Sequence, residues 1–169
     1  MNIFVLDKDP IKAAQYCIDR HVIKMPLESA QMMANAFTSK QLINAPKKQN
    51  GEDYKGGWLH HPCTKWVLES YDNFEWLLIH SLALCDEKTI RYPSRPRLYI
   101  ENFLLWIGKQ TISLPTKGLT KFALAMPEAC KVDDEIQSYR NYYIKHKKFD
   151  VSGKVMNKWT NRGCPWWYK

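Results

Sequence analysis

Apolar positions recur at three- and four-residue intervals along most of this chain, and the runs that carry this period predict helices. The apolar IFV near the N-terminus reads as extended. Pro10 then opens a helix through KAAQYCIDRHVIK, since proline is tolerated in a first helical turn. Pro26 is expected to kink or interrupt that helix. Residues 40–61, KQLINAPKKQNGEDYKGGWLHH, are polar, hold three glycines and show no sustained period, which marks a long surface loop. Pro62 begins PCTKWVLESYDNFEWLLIHSLALCDEKTIRY. Here Trp66, Ser70, Asn73, Leu77, His80 and Leu84 share one face, so one long, largely buried helix is predicted. RLYIENFLLWIGK predicts a third helix ended by Gly108, and LTKFALAMP a short helical turn before Pro127. DDEIQSYRNYYIKHKK predicts a last helix, with acids in its first turn and lysines in its final one to match the helix dipole. No alternating run is long enough to demand a sheet.

A chain of 169 residues with 45% apolar content can bury one substantial core. The expected architecture is all-α: a compact single-domain helical bundle over residues 1–169 with a short extended N-terminal segment. No apolar run is long enough to span a bilayer, and MNIFVLDKD lacks the pattern of a signal peptide, so a cytoplasmic protein without a membrane partner is expected. The five cysteines are scattered and form no CxxC pair. His60, His61 and Cys63 would need distant residues to complete a metal shell. No metal is expected, and with no glycine-rich phosphate loop present, no cofactor either.

Charge changes the picture at one end. Residues 139–169 hold eight Lys or Arg against Asp150 alone, a balance of +7 out of the total +8. The same segment carries Trp166, Trp167 and several tyrosines. Cations neutralise phosphates and flat rings stack on unpaired bases, so this mixture suits DNA or a nucleotide as partner. Arg140, Lys145, Lys147 and Lys148 are the candidate phosphate contacts, and Trp166 and Trp167 the candidate stacking rings.

Candidate chemistry lies in DRHVIKMPLESAQMM, residues 19–33. His21, Lys24, Glu28 and Gln31 fall within roughly an 80° arc of one helix face, each three or four residues from the next. Lys24 and Glu28 then form either an ordinary surface pair or part of a cleft. Ser70 and Asn73 sit among large apolar groups, where an unpaired buried amide costs roughly 1 to 3 kcal/mol. Their partners are either backbone groups of a neighbouring segment or the Lys24–Glu28 face across a cleft. Gln31, His61, Ser70 and Asn73 are the candidate supports of a pocket.

Three stretches, AAQYCIDRHVIKMP, HPCTKWVLESYDNFEWLL and the terminal GCPWWYK, resemble the phage pyrimidine-dimer DNA glycosylase family of the endonuclease V type and its phage relatives. That resemblance implies a compact all-α domain acting on damaged DNA. It further implies a Schiff base between a free N-terminal α-amine and the sugar C1′, assisted by a glutamate. An α-amine has a pKa near about 8 and is partly neutral at pH 7, whereas a lysine near about 10.4 is not. The chain departs from the family pattern at both points. Asn2, where the family has a small residue, is expected to hinder removal of Met1, and Lys24 of KMP stands where the family has its glutamate. Glu28, one turn later, is the replacement carboxylate, with Met1 or Lys24 as amine and His21 as a proton shuttle near neutral pH. The resulting readings are a base-excision glycosylase and lyase, a non-catalytic nucleic-acid or nucleotide binder on the same fold, or an enzyme of free nucleotides or modified bases.

Overall fold

Asp9 accepts hydrogen bonds from the amides of Ile11 and Lys12, and Pro10 takes the first helical position, so α1 (Pro10–Tyr16) begins where the proline predicts. In the computed structural model, which describes residues 1–169, it is followed by α2 (Asp19–Met33), α3 (Ser39–Ile43), α4 (Pro62–Glu69), α5 (Tyr71–Arg91), α6 (Ile100–Ile107) and α7 (Glu135–His146). Short 3-10 turns occupy Ala34–Ala36 and Glu128–Cys130. The fold is all-α, and its one β-bridge pairs Phe149 with Val155. No helix is long and apolar enough to cross a membrane.

The first predicted helix breaks earlier than expected, at Cys17 and Ile18, both extended, while Pro26 lies inside α2 without ending it. Proline removes one intrahelical bond, a loss a buried helix can carry. The earlier break is set by Arg91 at the end of α5. Its guanidinium donates to the carbonyls of Gln15 (2.9 Å) and Cys17 (2.7 Å), two acceptors that the end of α1 leaves free. It also pairs with Asp19 at 2.9 Å and Glu87 at 3.1 Å. The chain's last segment closes over the same group: Trp159 Nε1 donates to Tyr16 O, Thr160 donates to Asp19, and Arg162 pairs with Glu87 at 2.6 Å.

The long second helix is likewise divided. Ser70 is extended and its Oγ caps the new start by accepting from Asn73 N, so α4 and α5 meet at an angle. LTKFALAMP forms no helical turn. It runs as an extended strap because side chains of three other segments take its backbone groups: Asn73 Oδ1 accepts from Thr120 N, Tyr139 donates to Ala123 O and Asn2 donates to Ala125 O. The 3-10 turn falls after Pro127 instead. Within the predicted loop, Thr38 and Gln41 form a capping box that starts α3.

The core gathers around α5, which packs on α1, α2, α4 and α6. Ile3, Phe4, Val5 and Leu6 are buried within that core with no strand partner. Phe4 stacks on His21 with ring centroids 4.1 Å apart, and the Tyr143 hydroxyl lies 2.5 Å from His21 Nδ1. Burial first, then the charges of Lys147, Lys24 and Arg20, push the His21 pKa down to about 3. Burial likewise brings His80 down to about 4, opposed by its bond to Pro10 O.

Removing the Arg91 side chain leaves Asp19 and Glu87 facing each other's charge in a largely dry site. Arg91→Ala is expected to lower stability in urea unfolding by about 3 to 5 kcal/mol. A second outcome concerns pH. In the unfolded chain His21 takes up a proton near pH 6.5, while in the fold it stays neutral down to about 3. Its stabilisation is complete above pH 6.5 and is lost as pH falls from there toward 3, with His80 adding the same sense. Unfolding midpoints of His21→Phe between pH 6.5 and 4.5 should show a shallower decline than the parent's, by up to about 1.4 kcal/mol per pH unit.

Candidate functional site

The break at Cys17 aims α2 so that Arg20, His21, Lys24, Met25 and Glu28 form one wall of an open cleft of about 380 Å3. Met1, Asn2 and Phe4 of the N-terminal segment and Ala125 of the strap supply a second wall. The third is Tyr142, His146 and Lys147 at the end of α7, with Phe149, Asp150, Val151 and Met156 beyond it. Four separate stretches of the chain thus share one cavity.

Glu28 lies in the cleft between two amines. The terminal amine of Met1 is 3.6 Å from its Oε2 and Lys24 Nζ is 3.0 Å from its Oε1. The carboxylate side chain is 14% exposed, while that of Lys24 is 61% exposed. The Lys24–Glu28 pair is therefore both an i, i+4 helix contact and part of the cleft.

Asn2 fixes the approach of the amine. Its Oδ1 accepts from the amides of Ile3 (2.8 Å) and Phe4 (3.0 Å), and its Nδ2 donates to Ala125 O at 2.7 Å. Phe4 takes a left-handed backbone, φ 39°, which costs a non-glycine residue on the order of 1 kcal/mol or more and is held by those bonds and by its ring stack. The reading of Asn2 from sequence extended only to its effect on Met1. A buried polar side chain heading an apolar IFVL run is nevertheless a legible sign that its amide must find partners.

The remaining candidates separate. His21 lines the cleft; burial pushes its pKa down to about 3, and its ring stacks on Phe4. Gln31 lines a different cavity, of about 220 Å3, with Lys48, Lys55 and Trp58. His61 Nδ1 accepts from Cys63 N at the start of α4. Burial, and then the charge of the terminal amine, lower the His61 pKa, with Glu28 acting against them, so the ring stands within electrostatic reach of the site. Ser70 and Asn73 bond the strap loop, at Gly118 O and Thr120, and Asn73 also donates to Trp66 O; both are supports of the fold and neither lines the cleft.

Of the predicted phosphate contacts, Lys147 lines the cleft, its Nζ 4.5 Å from the Tyr142 ring centre. Lys148 lies over Phe149. Lys145 donates to Ala129 O. Arg140 is engaged by Leu6 O and Asp7 and lies over the rings of Trp166 and Trp167. Trp167 packs against Tyr16 and Tyr143, whereas Trp166 is 71% exposed. Arg20, Tyr142 and Met156 were not among the candidates; they reach the cleft through the turn at Cys17, the docking of α7 and the return of the chain after it, which no local spacing encodes.

The cleft sets four cationic groups, the Met1 amine, Arg20, Lys24 and Lys147, against the carboxylates of Glu28 and Asp150. A net positive cavity holding a carboxylate between primary amines can bind an anionic substrate, form an imine and move a proton.

A family model described as pyrimidine dimer DNA glycosylase matches residues 1–99. Comparison with curated proteins and with solved structures finds no match. The matched span takes in α1 to α5, and with them Met1, Lys24 and Glu28; the strap, α7 and the basic end lie outside it. More than half of the chain is covered, and the protein belongs to the pyrimidine dimer DNA glycosylase family.

Proposed function

We propose that this protein is a DNA glycosylase and abasic-site lyase that works through an imine formed beside Glu28. The observation that carries the reading is the placement of one carboxylate between two primary amines, at 3.6 and 3.0 Å, in a cationic cleft. Family membership supports DNA as the substrate.

The amine in its neutral form attacks C1′ of the target nucleotide as the C1′–N bond to the base breaks, and the base departs with a proton. Loss of a proton from nitrogen and opening of the sugar ring give the imine. Glu28, as carboxylate, takes the proton from C2′, and the C3′–O bond breaks to release the 3′ strand with its phosphate. Water then hydrolyses the imine and restores the amine. The Met1 amine is the favoured nucleophile, because an α-amine is far more often neutral at pH 7 than a lysine is. Lys24 then holds Glu28 in place and, with Arg20 and Lys147, meets the phosphates.

Borohydride reduction in the presence of duplex DNA carrying an abasic site or a pyrimidine dimer should yield a covalent adduct, with the label on the Met1 peptide. An adduct on the Lys24 peptide would transfer the nucleophile's role to that residue. Salt-dependent binding with neither adduct nor nicking would overturn the lyase and leave a binding protein. Glu28→Gln should slow strand cleavage by about 100-fold or more, the ordinary worth of a positioned general base, with DNA affinity much less affected.

A further inference from the structure

Residues 139–169 hold a single acid, Asp150, and the fold carries it into the cationic cleft. It lies in a small hairpin, residues 148–156, where Met156 N donates to Lys148 O at 2.8 Å and Asp150 N to Lys154 O at 2.9 Å. The two carboxylate oxygens have different tasks. Oδ1 accepts from Ser152 N (2.9 Å), Ser152 Oγ (2.6 Å) and Lys154 N (3.0 Å), which closes the turn. Oδ2 lies 3.6 Å from Arg20 Nη1 on α2. An asparagine carbonyl would accept the three turn bonds equally well. The turn therefore needs the oxygen but not the charge, and the ion pair that the charge makes is with Arg20.

Arg20 is held loosely from its own side. Its side chain is 56% exposed, the pair at 3.6 Å is too long for a hydrogen bond, and its Nη1 donates to Met156 Sδ at 3.0 Å, a weak acceptor. Most of the five guanidinium donors are left for a better partner. A DNA phosphodiester carries the same single negative charge as Asp150 and offers two oxygens that a guanidinium can take bidentately. Arg20 lines the same cleft as Glu28 and the Met1 amine, so a nucleotide that reaches those groups brings its phosphates to the same cavity. Phosphate and Asp150 then compete for one cation at equal charge, with the better hydrogen bonding on the phosphate's side.

We propose that Asp150 is a resident stand-in for a DNA phosphate: it holds Arg20 while the cleft is empty, and a backbone phosphate displaces it when DNA enters. Displacement also unties the 148–156 hairpin from α2, since both contacts that Arg20 makes with the hairpin are given up together. The exchange rests on the reading of DNA as the ligand of the cleft and does not depend on the imine. Arg20 contributes less to DNA binding than it would with no carboxylate opposite, because the pair with Asp150 must first be broken. An exposed pair of this kind changes an equilibrium constant by up to about fivefold.

The test is a double-mutant cycle on binding, by fluorescence anisotropy, to a duplex carrying the tetrahydrofuran analogue of an abasic site, a sugar that forms no imine. Arg20→Ala should weaken binding of the parent by a factor about three to five times smaller than it weakens binding of Asp150→Asn. That difference should shrink as salt is raised, since it is the screened energy of one ion pair. Arg20→Gln, which keeps the length of the side chain, should give the same cycle should Arg20→Ala disturb the fold. If Asp150 acts on DNA through its long-range charge alone, or if the pair survives in the complex, losing Arg20 costs the same factor in both backgrounds and the exchange is wrong. A parent protein that does not bind the duplex removes the DNA reading and the exchange with it; one that binds, with equal costs in the cycle, removes the exchange alone.

Discussion

The arrangement of this molecule depends on one buried guanidinium. Arg91 ends α5 and caps α1 by taking the carbonyls of Gln15 and Cys17, while its charge is met by Asp19 and Glu87. A fully buried cation is costly unless paired and hydrogen-bonded, so the site admits few alternative arrangements of the four groups that satisfy it. The direction of α2 follows from that capping. Were α1 to continue straight through Cys17, Lys24 and Glu28 would not face the N-terminal segment. The segment after α7 is recruited by the same charges, through Thr160 on Asp19 and Arg162 on Glu87. Scaffold and cleft are therefore two expressions of the same ion network.

A second layer of control acts at closer range. Asn2 binds the strap with one end of its amide and its own chain with the other, and the strap in turn is fastened by Asn73 and Tyr139. The terminal amine thus sits at the end of a chain of neutral hydrogen bonds that begins at the α4–α5 junction. Neutral side chains suit this task, since they position the amine without adding charge beside Glu28. His21 is consistent with the same economy of charge: stacked under Phe4 and kept uncharged by burial, it adds shape to the cleft rather than a third cation next to Lys24 and Lys147.

Much of this was legible in the residues. Helical spacing identified the class of fold, and the Lys24–Glu28 face proved to line a cavity together with Lys147 of the basic segment. Where the reading missed, long-range partners decided the outcome. Pro26 is the stronger local breaker, yet the chain turns at Cys17 because Arg91, more than seventy residues away, binds the carbonyls there. LTKFALAMP has helical propensity, but Asn73, Tyr139 and Asn2 offer its backbone better partners than its own turns would. Arg140 and Trp167, read from composition as nucleic-acid contacts, also pack within the protein, on Asp7 and Tyr16. Composition reports what a side chain can do, and burial decides whether it is available to do it.

Because the cleft is walled by residues 1–28 and by residues 125–156, it cannot form until the chain has been made past residue 156. While the ribosome still covers α7, Met1 and Glu28 have no Tyr142, Lys147 or Phe149 opposite them. The Met1 amine and Glu28 therefore meet their finished surroundings only after residues 142–156 have been made and have folded back on α2. A chain cut short before α7 would carry the Met1 amine and Glu28 without the wall that closes the cleft around them.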